Sequence, residues 1–274
     1  MGESSISVNE LTRWLGTASM PTVIDVRRRG VYEADAAVLP TARWRDHGAV
    51  DSWAAELDPK IPVVLYCVHG HQVSQASAAV LRARGYSVAI LSGGIEAWRA
   101  AGATLVAKSG WPGRDETGPS RWVTRAAPKI DRIACPWFIR RFVDRSGEIL
   151  FVEADQVVAA AAEIGAIPFD VDGVEFSHRG DRCTFDAFLE RFEVDDPALF
   201  RLADIVRGAD TGRLDAAPQA AGLLAISLGI SALAATDEQA LARGIDLYDA
   251  LYAWCRIAVG QGVGSSQAWG GAGA

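Results

Sequence analysis

Three short apolar runs place the strongest constraint on the fold: TVIDV at 22–26, IPVVLYC at 61–67 and SVAIL at 87–91. Continuous apolar runs of this length, rich in β-branched residues, are typical of buried strands in a parallel sheet. Segments with helical spacing follow the second and third runs and end at Gly85 and Gly102. A glycine at this position favours a left-handed helix cap. The alternation predicts an α/β fold, with a parallel sheet flanked by helices on both faces.

A Gly- and Pro-rich segment separates this pattern from a second half of different character. Its lack of apolar periodicity predicts a linker at 109–120. We therefore expect a first domain at 1–108 and a second domain at 121–260. Residues 261–274 are rich in Gly and Ser and are predicted to form a flexible tail.

The second half has mostly helical periodicity. Residues 131–145 carry one apolar helical stripe, with Asp131 as a candidate N-cap. EILFVE at 148–153 and GVEFSH at 173–178 are predicted strands, and nearly everything from residue 184 onward is predicted helix. The pattern predicts a mainly helical α+β domain.

Several cellular locations are disfavoured by the sequence. No apolar run reaches the roughly 18 residues of a membrane span, and the first residues lack the pattern of a secretory signal. The cysteines show no CxxC spacing, so we expect thiols rather than disulfides. These features predict a soluble, cytoplasmic protein with no membrane partner.

Charge is unevenly distributed along the chain, which has a net charge of −7. Residues 121–145 hold seven Arg or Lys and two Asp, within a second half that is otherwise acidic. A local basic patch of this kind indicates either a small anionic ligand or a solvated helix face. The sequence leaves both interpretations open.

Cys67 lies where the second predicted strand ends and a short Gly-containing loop leads into a helix. In such a turn the backbone N–H groups of the loop and of the helix N-terminus point at one spot and stabilise an anion. A thiol at that spot acquires a low pKa and becomes nucleophilic. The alternative is an inert buried cysteine at a strand end. A metal site made of Cys67, His69 and His71 is disfavoured, because structural zinc requires four ligands.

Residues 6–107 also resemble a single rhodanese domain, the fold of the sulfurtransferase family. The resemblance is carried by an Asp-x-Arg pair followed by an aromatic residue and a Glu, by the cysteine loop, and by a Gly-Gly-x-x-x-Trp motif: Asp25, Arg27, Tyr32, Glu33, Cys67, Gly70, Gly93, Gly94 and Trp98.

The resemblance implies a sulfurtransferase in which Cys67 accepts sulfane sulfur from a small donor such as thiosulfate and passes it to a thiol or cyanide. It assigns a supporting role to Asp25 and Arg27 and requires no cofactor. The N–H groups of the active-site loop would hold the extra sulfur: Val68, His69, Gly70, His71, Gln72 and Val73.

The loop departs from the family pattern Cys-x-x-Gly-x-Arg-Ser at its last two positions, and at the first of these Gln72 replaces the usual Arg. A dianion prefers a fixed positive charge, so we expect weak use of thiosulfate and better use of a less charged or protein-bound donor. A phosphatase-like variant of the fold is disfavoured, because it generally needs a longer loop than this one.

Polar side chains gather in several short stretches of the second half, at spacings that match no standard ligand motif. Ten of them are candidates for a metal or anion site: Lys129, Asp131, Arg132, Cys135, Glu175, His178, Arg179, Arg182, Cys183 and Asp210. Imidazole, carboxylate and thiol groups together can bind a transition metal. A polar network between helices is the alternative.

The same stretches resemble the C-terminal domain of the chromate-resistance protein family, over residues 122–260. Its most recognisable blocks are PKIDRIACPW, PFDVDGVEFSHRGDRCTFDAF, IVRGADT and YDALYAW. The resemblance implies a role in chromate resistance, and some members of the family look like chromate-responsive transcriptional regulators.

Two ligands are therefore predicted for this domain. A tetrahedral dianion such as chromate or sulfate would bind Lys129, Arg132, Arg179 and Arg182. A transition metal would bind His178 together with Glu175, Asp131 or Asp210 and a cysteine.

The leading prediction is an enzyme, a rhodanese-type sulfurtransferase fused to a domain that binds an oxyanion or a metal. The alternative is a sensor or transcriptional regulator of chromate or sulfur stress, with a weakly active or inactive rhodanese domain. DNA binding is disfavoured because the protein is acidic and has no recognisable helix-turn-helix.

Overall fold

The computed structural model describes residues 4–115 and 118–260. The chain forms two compact units. Unit 1 consists of Met1–Ser120, Phe138–Glu148 and Glu190–Asp195, and unit 2 consists of Arg121–Trp137, Ile149–Leu189 and Asp196–Ala274. The tail predicted at 261–274 lies outside the described residues.

The first half forms the predicted parallel sheet. Its strands are β1 (Ser5–Ile6), β2 (Thr22–Asp25), β3 (Ala37–Val38), β4 (Arg43–Trp44), β5 (Val63–Tyr66), β6 (Val88–Leu91) and β7 (Val106–Ala107). Five of them form one sheet in the order β1-β6-β5-β2-β4, with every pair parallel. The remaining strands, β3 and β7, form an antiparallel pair. The three strands predicted from the apolar runs are thus confirmed.

Helices follow the strands as the periodicity predicted. They are α1 (Val8–Thr12), α2 (Arg29–Ala34), α3 (Val50–Trp53), α4 (Gln72–Ala83) and α5 (Gly94–Ala100). The glycines expected to end α4 and α5 adopt positive φ values, 88° at Gly85 and 63° at Gly102. Because an L side chain is strained in this region, glycine suits both positions.

The segment predicted to be a linker contains ordered structure. Lys108–Gly110 and Pro112–Asp115 are 3-10 helices, and the side chains of Trp111 and Arg114 are buried. Arg114 donates hydrogen bonds to the carbonyl oxygens of Ala42 and Val143, both in unit 1. The Gly and Pro content that predicted a linker does not reveal that the side chains of Trp111 and Arg114 are buried in this segment.

The second half forms a small sheet among many helices, which confirms the predicted fold class. Strands β8 (Arg121–Arg125), β9 (Glu148–Val152) and β10 (Ile167–Pro168) pair in the order β10-β8-β9. The helices are α6 (Asp131–Phe138), α7 (Val157–Ile164), α8 (Thr184–Arg191), α9 (Pro197–Asp210), α10 (Ala220–Leu233) and α11 (Asp237–Gly260). In unit 2, Trp122 on β8 packs against the aromatic rings of Phe169, Phe176 and Phe188.

Two local predictions for this half were correct only in part. The helix predicted at 131–145 changes at Phe138 into a π-helical turn, Ile139–Val143, and Asp131 is its first residue rather than its N-cap. Pro136 lies inside α6, where it has no N–H to donate. The strand predicted at 173–178 is reduced to one isolated bridge between Phe169 and Phe176. The apolar alternation of this segment arises because the side chain of Phe176 packs in the aromatic core against Trp122.

No helix within residues 4–115 and 118–260 is both long enough and apolar enough to cross a membrane.

Candidate functional site

Cys67 directly follows β5 and faces the first turn of α4. Its Sγ atom lies 3.3 Å from the hydroxyl oxygen of Ser74, which also donates a hydrogen bond to the carbonyl oxygen of His71. Only 7% of Cys67 is exposed, whereas His69 and His71 are exposed and their rings lie 6.0 Å apart. The thiol therefore lies at the base of the loop, with the imidazoles at its outer edge.

Two glycines allow the loop to close tightly around the thiol. Gly70 has a φ of 72°, and a Cβ atom there would lie 2.5 Å from the carbonyl oxygen of Leu91. Gly94 has a φ of 59°, and its Cβ would lie 2.4 Å from the carbonyl oxygens of Cys67 and Val68. Those two oxygens accept hydrogen bonds from the first turn of α5, at Ile95 and Glu96. These two carbonyl oxygens are therefore hydrogen-bonded to α5 and not to the thiol. The backbone groups that contact the sulfur are N–H groups of the loop.

The hydrogen bonds around Cys67 lower its pKa. Burial raises the pKa of the thiol, but the Ser74 hydroxyl and the backbone N–H groups of Ser74, His69 and His71 stabilise the thiolate more strongly. By contrast, burial raises the pKa of Cys135, and it raises the pKa of Cys255 to about 12. Of these three thiols, Cys67 is the one whose pKa is lowered, so it has the largest thiolate fraction at any given pH.

Replacing Ser74 with alanine tests this assignment. Loss of the hydroxyl hydrogen bond should raise the Cys67 pKa, so the pH profile of alkylation by iodoacetamide should move to higher pH. At pH 7 we expect the rate to fall about three- to tenfold, since half to one pKa unit changes the thiolate fraction by that factor. The matched control is Ser77→Ala, which removes a buried hydroxyl bonded to the Val73 carbonyl oxygen. An equal shift in both variants would contradict the role of Ser74.

Cys67 opens onto a cavity of about 480 Å³. Its walls come from the cysteine loop and from the residues that follow β2: Arg27, Arg28, Val31, Cys67, Val68, His69, His71, Gln72, Val73 and Gln75. Strands β2 and β5 are parallel neighbours, with Asp25 opposite Tyr66, so their carboxyl ends reach the same edge of the sheet. A small sulfur compound can therefore reach the thiol through this cavity.

The cavity contains a cation that sequence reasoning missed. Gln72, which stands where the family has an arginine, is the first residue of α4 and brings no charge to the cavity. A positive charge comes instead from Arg28 at the start of α2, which lines the cavity and is exposed. The available signal was the run of three arginines at 27–29, directly after β2. Assigning one of these arginines to the cavity requires knowing that β2 and β5 are neighbouring strands.

Asp25 and Arg27 form a buried ion pair beside this edge. Arg27 is 1% exposed and donates to both carboxylate oxygens of Asp25, to Asp35 and to the carbonyl oxygen of Ala37. Tyr66 donates its hydroxyl to the same Asp25 carboxylate, at 2.9 Å. These contacts fix the ends of β2 and β5, the two strands that precede the cavity walls.

A second polar cluster lies in unit 2 and brings together side chains from four separate segments. The Nε2 atom of His178 lies 3.0 Å from a carboxylate oxygen of Asp131, 3.3 Å from one of Asp210 and 3.5 Å from one of Asp170. The carboxylates are largely buried, at 3%, 15% and 1% side-chain exposure, and the imidazole is 40% exposed. We refer to these four residues as the His178 cluster.

The cluster perturbs the pKa values of its own members. The hydrogen bond with Asp131 raises the pKa of His178 to about 9. Burial and the nearby charge of Asp131 raise the pKa of Asp210 to about 7. Burial also raises the pKa of Asp170. Burial acts in the same direction on Asp131, but the contacts of Asp131 with His178, Asp210 and Arg132 together keep its pKa below the usual range. The three carboxylates therefore compete for one imidazole.

The structure assigns different environments to the other predicted residues of this half. Arg132 lies 3.1 Å from Asp170, and Lys129 is half-buried. Arg179 and Arg182 are exposed on a tight turn, where their backbones bond to each other. Glu175 is exposed and accepts a hydrogen bond from Arg179 through its carbonyl oxygen.

The two predicted thiols lie in the interior. Cys135 and Cys183 are fully buried, and burial raises the pKa of both. These environments favour neutral thiols over metal-bound thiolates.

Two members of the cluster region were missed by sequence reasoning, Asp170 and Arg125. Arg125 donates to Asp170 at 2.7 Å, and Thr184 donates to its other carboxylate oxygen. Asp170 has a φ of 59°, which is a strained conformation for a residue with a side chain. The signal was the PFDVDG block, whose first aspartate lies two residues after the end of β10.

Two family models match the chain, one in each half. Residues 7–101 match the family model of the rhodanese-like domain, and residues 122–255 match that of the ChrB C-terminal domain. The chain combines a rhodanese-like domain with a ChrB C-terminal domain. Protein ChrB of Cupriavidus metallidurans is 34% identical over 144 residues, which cover 52% of this chain and 43% of that protein. The chain thus spans less than half the length of this curated relative.

Solved structures similar to this chain include a rhodanese-related protein from Thermoplasma volcanium. It is 22% identical and aligns with 38% of this chain and 97% of its own, with a TM-score of 0.34. A rhodanese-like domain protein from Staphylococcus aureus is also 22% identical and aligns with 35% and 90% of the two chains, with a TM-score of 0.32.

Proposed function

We propose that the chain is a sulfurtransferase that carries sulfane sulfur as a persulfide on Cys67. The observation that carries this proposal is a thiol with a lowered pKa, held among the N–H groups of a tight loop and open to a cavity. An inert buried cysteine would have a raised pKa, as Cys135 and Cys255 do.

The proposed reaction has two steps. The Cys67 thiolate attacks the outer sulfur of thiosulfate, the S–S bond breaks, and sulfite leaves with the bonding electron pair. A thiolate or cyanide then attacks the outer sulfur of the persulfide, and the electron pair of that S–S bond returns to Cys67 as thiolate. The loop N–H groups stabilise the anionic persulfide between the steps. No cofactor takes part.

Both substrates in this proposal are small, a sulfane-sulfur donor and a thiol acceptor. We infer that the protein works in the reducing cytoplasm, because the cycle returns Cys67 to a free thiolate after each turnover.

The direct test is mass spectrometry of the intact chain after thiosulfate treatment. We expect a mass increase of one sulfur atom, located on the peptide that contains Cys67 and removed by cyanide as thiocyanate. A sulfur atom found on Cys135, Cys183 or Cys255 instead would refute the assignment of the site.

Arg28 provides a test of donor preference. Arg27 also lines the cavity, but it is buried and paired with Asp25 and Asp35, whereas Arg28 is exposed. Arg28→Gln should therefore lower kcat/KM for thiosulfate about tenfold, the effect of losing one charge-assisted hydrogen bond of about 1.5 kcal/mol. Turnover with a neutral organic trisulfide should remain unchanged. The matched control is Arg29→Gln, since Arg29 stacks over Trp44 instead of lining the cavity. Equal losses with both donors would show that Arg28 does not select the anion.

A further inference from the structure

We propose that unit 2 binds one divalent transition-metal ion through the His178 cluster, with Asp131, Asp170 and His178 as ligands and Asp210 as a fourth. This site is separate from the Cys67 cavity, and its existence does not depend on sulfur transfer.

The spacing of the polar atoms is the first argument. The ligand atoms of Asp131, Asp170 and His178 all lie within 4.8 Å of one another, and Nε2 of His178 lies 3.0–3.5 Å from three carboxylate oxygens. An ion with bonds of about 2.1 Å separates neighbouring ligand atoms by about 3.0 Å in octahedral geometry and about 3.4 Å in tetrahedral geometry. The observed distances from Nε2 span these values, so an ion can enter with small side-chain movements.

The balance of charges is the second argument. An ion pair with His178 needs one carboxylate, yet three converge on it, and burying carboxylates without compensation is costly. Arg125 and Arg132 compensate Asp170, at 2.7 and 3.1 Å. Asp131 and Asp210 share the single imidazole, and a divalent cation that replaces the imidazole proton brings one more positive charge to these two carboxylates.

Rigid support is the third argument. Asp131 is the first residue of α6, and the carbonyl oxygen of the preceding Ile130 accepts a hydrogen bond from Tyr248 at 2.8 Å. Ile130 and Asp170 both have positive φ values, 41° and 59°, and the Asp170 N–H donates to the carbonyl oxygen of Phe176. Such strain persists where surrounding contacts enforce it, which fixes both carboxylates before any ion binds.

The ligand atoms indicate which ions fit. An imidazole nitrogen with several carboxylate oxygens suits Mn²⁺, Fe²⁺, Co²⁺ and Zn²⁺ better than the soft Cu⁺ or the all-oxygen sites of Ca²⁺. His178 and Asp170 line a cavity of about 580 Å³, which gives an ion a route of entry and leaves room for water to complete its coordination.

The test uses the full chain carrying Cys67→Ser, which prevents metal binding at the reactive thiol. After chelation and desalting, titrations with Mn²⁺ and with Zn²⁺ should give one bound ion per chain, measured by calorimetry and by elemental analysis. His178→Gln and Asp131→Asn should each weaken binding at least tenfold. Co²⁺ should give a visible absorption spectrum that changes in both variants.

The matched control is Asp172→Asn, because Asp172 lines the same cavity without belonging to the cluster. It should bind the ion as the parent chain does. Circular dichroism checks each variant for folding, and if His178→Gln fails to fold, the nearly isosteric Asp131→Asn decides. Failure of the parent chain to retain a stoichiometric ion, or an equal loss in Asp172→Asn, would overturn the proposal.

Discussion

A Cys67→Ser variant is expected to lose thiosulfate-dependent thiocyanate formation by at least about a thousandfold while keeping its fold. A serine hydroxyl fits the space of the thiol and can still contact Ser74. It is neutral at pH 7, however, and cannot carry sulfane sulfur through this cycle. The measurement is thiocyanate release at saturating thiosulfate and cyanide, with circular dichroism on the same sample.

The control for this variant is Cys255→Ala. Cys255 is fully buried, and burial raises the pKa of its thiol to about 12, so it has almost no thiolate at neutral pH. This variant should keep most of the activity and lose only modest stability. Residual activity of a tenth or more in Cys67→Ser would show that another group carries the sulfur.

The layout of the first candidate site follows from the sequence, because the thiol and the loop around it are neighbours along the chain. The apolar runs determine three parallel strands, and the Cys67 loop lies within eight residues of the strand end, so one short stretch contains the thiol and its N–H donors. Arg28 was missed because it follows β2, whereas the cysteine loop follows β5, about 40 residues later in the chain. The two come together only because β2 pairs with β5. Local patterns contain little information about such pairings.

The second candidate site was predicted only in part, because its members are distant in sequence. His178, Asp131 and Asp210 were identified because polar side chains gather in short stretches around them, and the structure brings the three together. Asp170 was missed because a single aspartate after a strand resembles an ordinary turn residue. Only tertiary structure shows that its positive φ directs the carboxylate at His178.

Some basic residues of the same region have partners that the sequence does not reveal. The seven cations of 121–145 suggested an anion site, but Arg125 and Arg132 contact Asp170, a carboxylate outside that segment. Net charge counted along a segment ignores partners contributed by other segments. For these two arginines the partner is a carboxylate of the same unit, and a chromate or sulfate ligand for the domain stays a prediction.

Replacing Asp25 with alanine is expected to destabilise unit 1 by about 3–5 kcal/mol, the usual effect of removing one partner of a buried ion pair. Asp25 is fully buried and accepts from the backbone N–H, Nε and Nη2 of Arg27 and from the Tyr66 hydroxyl. Without it, the Arg27 guanidinium stays buried with Asp35 as its remaining carboxylate. Because both strand ends at the cavity lose a contact, sulfur transfer should fall as well.

The measurement is urea unfolding followed by circular dichroism, with Glu33→Ala as the matched control. Glu33 pairs with Arg29 at 3.4 Å on the surface of α2, where both side chains are more than half exposed. Water already solvates that pair, so its loss should cost no more than about 0.5 kcal/mol. The two variants remove one carboxylate each, so the difference between them isolates the effect of burial. An Asp25→Ala variant within 1 kcal/mol of Glu33→Ala, a margin of about fivefold in the folding equilibrium, would mean that solvent reaches the Arg27 guanidinium.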